Sequence, residues 1–501
     1  MKNYLKLLIS GFFTSLIFPP LFLIPVGLIS IPYFYNKINE IKKNQSPTQI
    51  FLEGFFFGLG LNLFLFFWLK NPFFIEEETK KLSFLFLIFI FYASIYFGIL
   101  TLTLKLFHNK IKIIVFPLLF VLFEIIRSKL FLGFPWNLFA YSFSNINFFA
   151  SIVKIFGTYT LSYVVIVILL YPIILVNLWK KKDFNFNLFY LILSLIFILL
   201  ILVFSNYYKN DKNLFNKKEY NLDVVVYQSN IPQAEKWNLS KMDKRFEELM
   251  EFINLNSKNN KPTIIIFSET EIPYIISKNS KLLELIQSQL DQNTTIVIGA
   301  VRKQNKNYYN TMYRINSRDI IFFDKKILVP FGEYIPLRKF LPFINKFTVG
   351  IEDFKKGNNV RKLKLFDDLF FIPSICYENI FFDKLINKNN EGIPLLINIT
   401  NDAWFGKYQG PNQHFYHSIL RSLEYNKYLI RVSNNGISAI VDNNGKILIS
   451  TKLNQKSTFK YNLKINKNNY FLKNKYLIFY LYLTLSLSLC LVLNFYKKYG
   501  K

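Results

Sequence analysis

Phe370-Phe371-Ile372-Pro373-Ser374-Ile375-Cys376-Tyr377-Glu378-Asn379 is an apolar run that ends abruptly at a cysteine, with an aromatic and an acid directly behind it. The run reads as a buried strand, and Lys364–Phe370 reads as a hairpin leading into it. A strand end is a place where a thiol is held rigidly and still meets a substrate. Cysteine is scarce, with two in 501 residues, and Cys490 lies in a second apolar stretch near the C-terminus. Free cysteine is also among the most buried residue types. From these residues alone, nucleophile and buried small hydrophobe both stay open.

Around this strand the sequence alternates. Leu222–Tyr227, Thr263–Phe267, Thr294–Ala300, Ile320–Phe323, Leu369–Ile375 and Pro394–Ile399 are short, β-branched and apolar. Between the first two, Met242, Phe246, Leu249 and Ile253 recur at the spacing of one helix face. Strands apolar on both faces, alternating with helices, predict a layered α/β domain over residues 207–470.

The first 206 residues differ. Apolar runs near 4–18, 21–35, 50–69, 82–104, 113–127, 147–177 and 187–206 approach the roughly 20 residues a spanning helix needs, and another lies near 474–495. We expect a transmembrane helical bundle of about seven spans over 1–206, and a last span with a short basic tail over 471–501. The first pair, joined by Pro19-Pro20, fits a re-entrant hairpin. The composition agrees, at 52% hydrophobic and 19% aromatic with 57 Phe. The net charge of +29 is not read as a nucleic-acid footprint. Much of the lysine falls in short loops between apolar runs, as the positive-inside rule expects, and it accompanies a general enrichment in Asn, Ile and Phe. Lys2, Lys6, Lys37, Lys42, Lys43, Lys105, Lys110, Lys112, Lys180–Lys182, Lys497, Lys498 and Lys501 fall on alternate sides in step. Residues 207–470 and the loop Gly133-Phe134-Pro135-Trp136-Asn137 then face away from the cytoplasm. Trp136 fits an interfacial anchor or the lining of an opening.

A thiol nucleophile needs a base and a stabiliser for the oxyanion it creates. His414 and His417, at the start of a predicted helix, offer a Cys376–His414 dyad; no third ligand at suitable spacing makes them a metal site. Carboxylates and lysines at strand ends are the other candidates. Glu269 stands just beyond Thr263–Phe267, partly withdrawn from water and suited to take a thiol proton. Lys325 follows Ile320–Phe323, where an ammonium stabilises both a thiolate and a tetrahedral oxyanion.

Glu after one strand, Lys-x-x-Leu after another and Cys after a third resembles the Glu–Lys–Cys arrangement of the nitrilase superfamily. The longer segments narrow the resemblance. Gln228-Ser229-Asn230-Ile231-Pro232-Gln233-Ala234-Glu235-Lys236-Trp237, Leu328-Val329-Pro330-Phe331-Gly332-Glu333-Tyr334-Ile335-Pro336, Cys376-Tyr377-Glu378, Asn401-Asp402-Ala403-Trp404-Phe405-Gly406, Arg431-Val432-Ser433-Asn434-Asn435-Gly436-Ile437-Ser438 and Gly133-Phe134-Pro135-Trp136 are similar to signatures of the apolipoprotein N-acyltransferase family. That resemblance covers essentially the whole chain.

It implies a nitrilase-like α-β-β-α sandwich inserted before the last transmembrane helix. It also implies transfer of an acyl chain from a phosphatidylethanolamine-type phospholipid, through a thioester on Cys376, to the N-terminal amine of diacylglyceryl-cysteine in apolipoproteins. Glu269 is then the general base and Lys325 the oxyanion stabiliser. Glu333, Tyr377 and Glu378 support the site, and Trp237 is a substrate-binding aromatic at its mouth. No cofactor, metal or nucleic acid is implied. The expected partners are the phospholipid donor and the apolipoprotein acceptor, and the expected protein is a monomer of the bacterial inner membrane with its catalytic domain on the periplasmic side. Two departures stand out. Phe267-Ser268 replaces the family's usual Trp-Pro before the base, with Glu271 as a second acid, and Lys326-Ile327 replaces a His-His pair. The alternatives are a membrane-tethered nitrilase-type amidase acting on a small amide, which needs only one tethering helix, and an inert lipid-binding protein, which does not need an intact Glu–Lys–Cys set.

Overall fold

A computed structural model describes residues 2–40, 45–130, 133–210, 215–277, 280–336, 352–468 and 474–499. Lys42, Lys43 and Lys501, three of the cations behind the expected orientation, lie outside the described residues. The chain divides into two compact units, one of Met1–Lys70, Phe84–Asp211 and Leu472–Lys501, the other of Asn71–Ser83 and Lys212–Phe471.

The first unit is helical. Among the described residues, five helices are long and apolar enough to cross a membrane: Pro47–Leu65, Ser83–Lys105, Thr158–Trp179, Phe184–Tyr207 and Lys475–Tyr496. Large apolar side chains such as Leu199, Leu200, Leu485 and Leu489 point outward from these helices, as a lipid-facing surface requires. The chain is a multi-pass membrane protein. Helices Lys2–Ser15 and Ile24–Asn39 are shorter. They are tied together by Thr14 Oγ1 donating to Ser30 Oγ at 2.7 Å and Ser10 Oγ to the Ser30 carbonyl at 2.9 Å. Close packing comes from small residues. A Cβ on Gly11 would sit 1.9 Å from the Phe57 carbonyl oxygen, and one on Gly60 1.9 Å from that of Leu8. The apolar run at 147–177 is not one helix but Asn147–Ala150, Ile152–Phe156 and Thr158–Trp179. The long helix starts only after Gly157, whose φ of +81° lies in the region that favours glycine. Trp136 is fully buried within the protein; its ring lies 4.9 Å from that of Trp68, and Arg127 Nη2 donates to its carbonyl at 3.0 Å.

The second unit holds thirteen strands among its described residues: β1 (Phe215–Gln228), β2 (Thr263–Ile266), β3 (Ile275–Ile276), β4 (Thr294–Gln304), β5 (Asn307–Asn316), β6 (Ile320–Asp324), β7 (Leu363–Phe366), β8 (Leu369–Ile375), β9 (Leu395–Thr400), β10 (Tyr428–Ser433), β11 (Ala439–Val441), β12 (Ile447–Ser450) and β13 (Ser457–Asn468). They form two sheets, ordered β13-β1-β2-β4-β5-β6, with β3 beside β4, and β12-β11-β10-β9-β8-β7. The centre of each is parallel, β1-β2-β4 in one and β8-β9-β10 in the other.

Alternate residues of the first sheet, Val225, Ile265, Phe267, Ile296 and Ile298, pack on Leu249, Ile253, Leu283 and Ile286 of helices Leu239–Asn256 and Lys281–Ser288. In the second sheet Ile372, Leu396, Leu429 and Val441 pack on Phe415 and Ile419 of helix Gln409–Tyr425. The intervening residues, such as Val224, Ile264, Ile397 and Ile430, are also buried, so the sheets cover each other and the order is α-β-β-α. The hairpin into the cysteine strand is present, with β7 and β8 antiparallel.

Candidate active site

Glu269, Lys325, Cys376, Asn401 and Asn434 all lie just past the C-terminal ends of strands, respectively β2, β6, β8, β9 and β10, the edge where open α/β sheets bind ligands. Glu269 is 6% exposed and Lys325 1%. The Lys325 ammonium lies 2.9 Å from Glu333 Oε1 and 3.4 Å from Glu269 Oε1. Asn310, on β5, donates its amide to the same two oxygens, at 2.7 Å to Glu269 and 2.8 Å to Glu333. The remaining oxygens are taken by main chain: Glu269 Oε2 accepts from Asn401 N at 2.9 Å and Glu333 Oε2 from Val329 N at 2.8 Å. Burial alone would lower the Lys325 pKa, but the Glu333 and Glu269 charges outweigh it and hold it well above the ordinary lysine value. Lys325 is therefore a fixed cation and not a proton acceptor.

Cys376 opens the 3₁₀ turn Cys376–Ile380 with φ +51°. A side chain held in this sparsely populated region marks a constrained position. Burial first, then the Glu269 charge, pushes its thiol pKa well up, while Lys325 and a hydrogen bond from Thr400 pull the other way. At rest the sulfur carries its proton and needs a base to lose it.

Glu378 serves this turn from beneath. It accepts from Ile375 N at 2.9 Å, Lys326 N at 2.9 Å, Ile327 N at 3.1 Å and both terminal nitrogens of Arg361, at 2.9 and 2.6 Å. Burial would raise its pKa, yet the Arg361 charge and these donors hold it below the usual carboxylate range. One carboxylate thus fastens the cysteine turn to the segment after Lys325. Tyr377 packs its ring edge-on to Phe381, with centroids 5.1 Å apart. Trp237 packs with Tyr308 and Tyr334 on Val301, Leu328 and Phe354.

His414 does not stand as a simple partner of the thiol. Its Nδ1 lies 2.7 Å from Asp402 Oδ1, and Arg431 Nη2 lies 2.7 Å from Asp402 Oδ2. Burial and the Arg431 charge lower the His414 pKa, while its contact with Cys376 is a backbone hydrogen bond. Asp402, His414 and Arg431 form a buried ion and hydrogen-bond cluster behind the cysteine. Gly436 makes room for it, since a Cβ there would fall 1.9 Å from Asp402 Oδ2. Glu271 points elsewhere than Glu269, accepting from Ser229 Oγ at 3.0 Å and from Ser268 Oγ.

Sequence reasoning did not find Asn310 or Gly299. An asparagine within Tyr308-Tyr309-Asn310-Thr311-Met312 is a usable signal, because Asn is depleted in strands and an exception calls for a polar task. Gly299 lies under the Glu269 turn; a Cβ would meet Thr270 N at 2.5 Å and Glu269 Cα at 2.7 Å. We expect Gly299→Ala to displace Glu269 and slow any reaction that uses it about 100-fold, as an ångström-scale misplacement does, with a smaller change in melting temperature; turnover and thermal unfolding of the purified variant check both.

The segments that carry the family resemblance are knitted together by side-chain amides. Asn434 Nδ2 donates to Asn401 Oδ1 at 2.9 Å, Asn401 Nδ2 to Gln233 Oε1 at 2.6 Å, and Asn434 Oδ1 accepts from Ile231 N at 2.8 Å. Asn71 Nδ2 donates to the Phe405 carbonyl at 3.1 Å, so the segment 71–83 that interrupts the helical unit is held by the Asn401–Gly406 turn.

Two family models match most of the chain. The apolipoprotein N-acyltransferase N-terminal domain matches residues 10–170, and the carbon-nitrogen hydrolase family matches residues 224–467. Among curated proteins, the apolipoprotein N-acyltransferase of Rickettsia typhi is 34% identical over 466 residues, covering 91% of this chain and 90% of its own length. That of Rickettsia prowazekii is 34% identical with the same coverage, and that of Brucella melitensis is 30% identical over 90% of this chain and 88% of its own. With relatives at 34% identity matched over about nine tenths of this chain and of their own length, the chain belongs to the apolipoprotein N-acyltransferase family.

Proposed function

We propose that this protein transfers an acyl chain from a phosphatidylethanolamine-type phospholipid to the N-terminal amine of diacylglyceryl-cysteine in apolipoproteins, through a thioester on Cys376. The observation that carries the reading is the Lys325 ammonium held between Glu269 and Glu333 at the strand-end cysteine of a chain of this family.

In the first half-reaction Glu269 takes the Cys376 proton and the sulfur attacks the donor's ester carbonyl. A C–S bond forms, the carbonyl electrons move to oxygen, and the resulting oxyanion is stabilised by Lys325. Collapse breaks the C–O bond, and protonated Glu269 returns its proton to the departing glycerol oxygen. The product is a lysophospholipid and an acyl-enzyme. In the second half, Glu269 takes a proton from the incoming amine, nitrogen attacks the thioester, the C–S bond breaks as the amide forms, and protonated Glu269 returns its proton to the Cys376 sulfur. Dividing ester-to-amide exchange in this way gives ping-pong kinetics. Lys325, fixed as a cation, serves both halves without gaining or losing a proton. Both substrates are anchored in lipid and diffuse laterally, which accounts for a helical membrane unit that a soluble-amide hydrolase does not need. We place the protein in the bacterial inner membrane, with the two-sheet unit on the periplasmic side and Glu333, Tyr377, Glu378 and Trp237 supporting the site.

The test supplies purified protein with acyl-labelled phosphatidylethanolamine and a diacylglyceryl-cysteine peptide, and follows label on the peptide's amine. Wild type acylates the peptide, and Cys376→Ala does not. Ammonia release from small amides without peptide acylation would favour the amidase instead.

A further inference from the structure

Lys236 is a buried cation that the steps above leave unused. It is 4% exposed and follows the 3₁₀ turn Gln233–Glu235. Its position is set by main chain: Lys236 N donates to the Gln233 carbonyl at 3.1 Å. Arg245 Nη1, from helix Leu239–Asn256, donates to the Glu235 and Lys236 carbonyls at 2.8 and 3.2 Å. The Lys236 ammonium donates to the main-chain oxygen of Glu269 at 2.8 Å. The Glu271 and Glu269 carboxylates and Cys376 lie within its electrostatic reach.

Resting on the function proposed above, we propose that Lys236 is a positioning residue for acyl transfer: its ammonium fixes the Glu269 turn from behind and stabilises the negative charge shared between Glu269 and Cys376. The turn needs such a tether. Thr270 sits at φ +49°, and the chain there runs against Gly299 so closely that no Cβ fits. Fixing the Glu269 carbonyl fixes the peptide plane from which the carboxylate reaches Asn401 N and Lys325. A neutral donor would satisfy a carbonyl equally well. Burial lowers the Lys236 pKa, while the Glu271 and Glu269 charges and Cys376 pull it back up, so what the ammonium adds over a neutral donor is its attraction for these groups. Proton transfer from sulfur to Glu269 leaves an anion in the same reach, and Lys236 favours whichever of the two carries the charge.

The charge is isolated by Lys236→Gln, which keeps an N–H for the Glu269 carbonyl, with Lys236→Arg as the conservative rescue. The readouts are the pH profile of Cys376 alkylation by iodoacetamide, followed on the Cys376 peptide so that Cys490 does not interfere, and the split between kcat and KM. The Cys376 thiol is also faced by Glu269, Lys325 and Asp402, and all three are unchanged in these variants. Lys236→Gln should move the alkylation midpoint up by about one pH unit and lower kcat about tenfold with the phospholipid KM unchanged, and Lys236→Arg should restore most of both. A folded Lys236→Gln protein with the wild-type midpoint and kcat overturns the proposal. So does an Arg variant that folds but behaves like Gln. If Gln fails to fold, the Arg variant alone decides: the wild-type midpoint supports the role, and a raised one overturns it. Failure of wild type to form any Cys376 adduct would sink the thioester reading instead.

Discussion

Glu269→Gln should slow acylation of Cys376 about 10²–10⁴-fold, the range that loss of a positioned general base produces. The substitution keeps shape and removes charge. Glu269 accepts on both oxygens, from Asn310 and Lys325 on one side and from Asn401 N on the other. A glutamine offers one acceptor, so one of these donors must face an NH2 group. Lys325 keeps Glu333 as its counter-ion, and the cation survives. The protonated thiol of Cys376 then has stabilisation waiting for it but no group to take its proton. The pre-steady-state rate of adduct formation reads this directly. A variant that acylates within a few-fold of wild type would remove Glu269 from the role of base and send attention to Glu271, two residues on.

The largest stability effect should come from Glu378→Ala. Removing one member of a buried ion pair costs about 3–5 kcal/mol, because the partner is left charged and unpaired. Here Arg361 is that partner, and three main-chain N–H groups lose their acceptor with it. At roughly 2–4 °C per kcal/mol for a domain of this size, the melting temperature of the two-sheet unit should fall on the order of 10 °C. The sign with pH follows from the depressed Glu378 pKa. Its contribution is complete above the unfolded carboxylate value, near ~4.3, and is lost as pH falls through the lower folded value. Wild type should therefore lose more stability than the variant on acidification below about pH 4. The double variant with Arg361→Met should recover part of the loss, since no charge is then stranded. A melting temperature within 2 °C or so of wild type would mean the carboxylate is not the clamp described here.

The parts of this fold legible in the sequence were those with a strong period or a sharp punctuation mark. The cysteine strand, its hairpin, the strands before Glu269 and Lys325, and the amphipathic helix bearing Leu249 and Ile253 were readable because burial on one or both faces repeats at short range. Less was visible where the determinant lies across the chain. β5 is rich in Tyr and Asn, and its alternation makes sense only when paired with β4 and β6. β13 returns to pair with β1 from more than 200 residues away in sequence. In the helical unit, a run of apolar residues at 147–177 conceals a break that Gly157 makes by its backbone, not by its polarity.

The site divides in the same way. Cys376, Glu269 and Lys325 announced themselves as charged or nucleophilic residues directly after apolar strands, and the structure brings all three together. Two further aspects needed coordinates. Glu378 reads as an acid beside a nucleophile but spends its oxygens on Arg361 and main chain. His414, the usual choice of base, spends its ring on Asp402, and so the cluster near the thiol that looks like a dyad in sequence is a support. Asn310, Gly299 and Lys236 contribute through contacts between segments far apart in the sequence, which no local pattern encodes.

The central claim is that an acyl group rests on Cys376 between two substrates, and intact-protein mass spectrometry after mixing with acyl-labelled phosphatidylethanolamine tests it most directly. Without acceptor, the protein should gain one acyl mass, mapped to Cys376 and absent from Cys376→Ala, with one equivalent of lysophospholipid released. Adding a peptide that begins with diacylglyceryl-cysteine should discharge the adduct and yield the amide. Amide formation with no acyl-enzyme at any time, or an adduct that persists in Cys376→Ala, would contradict it.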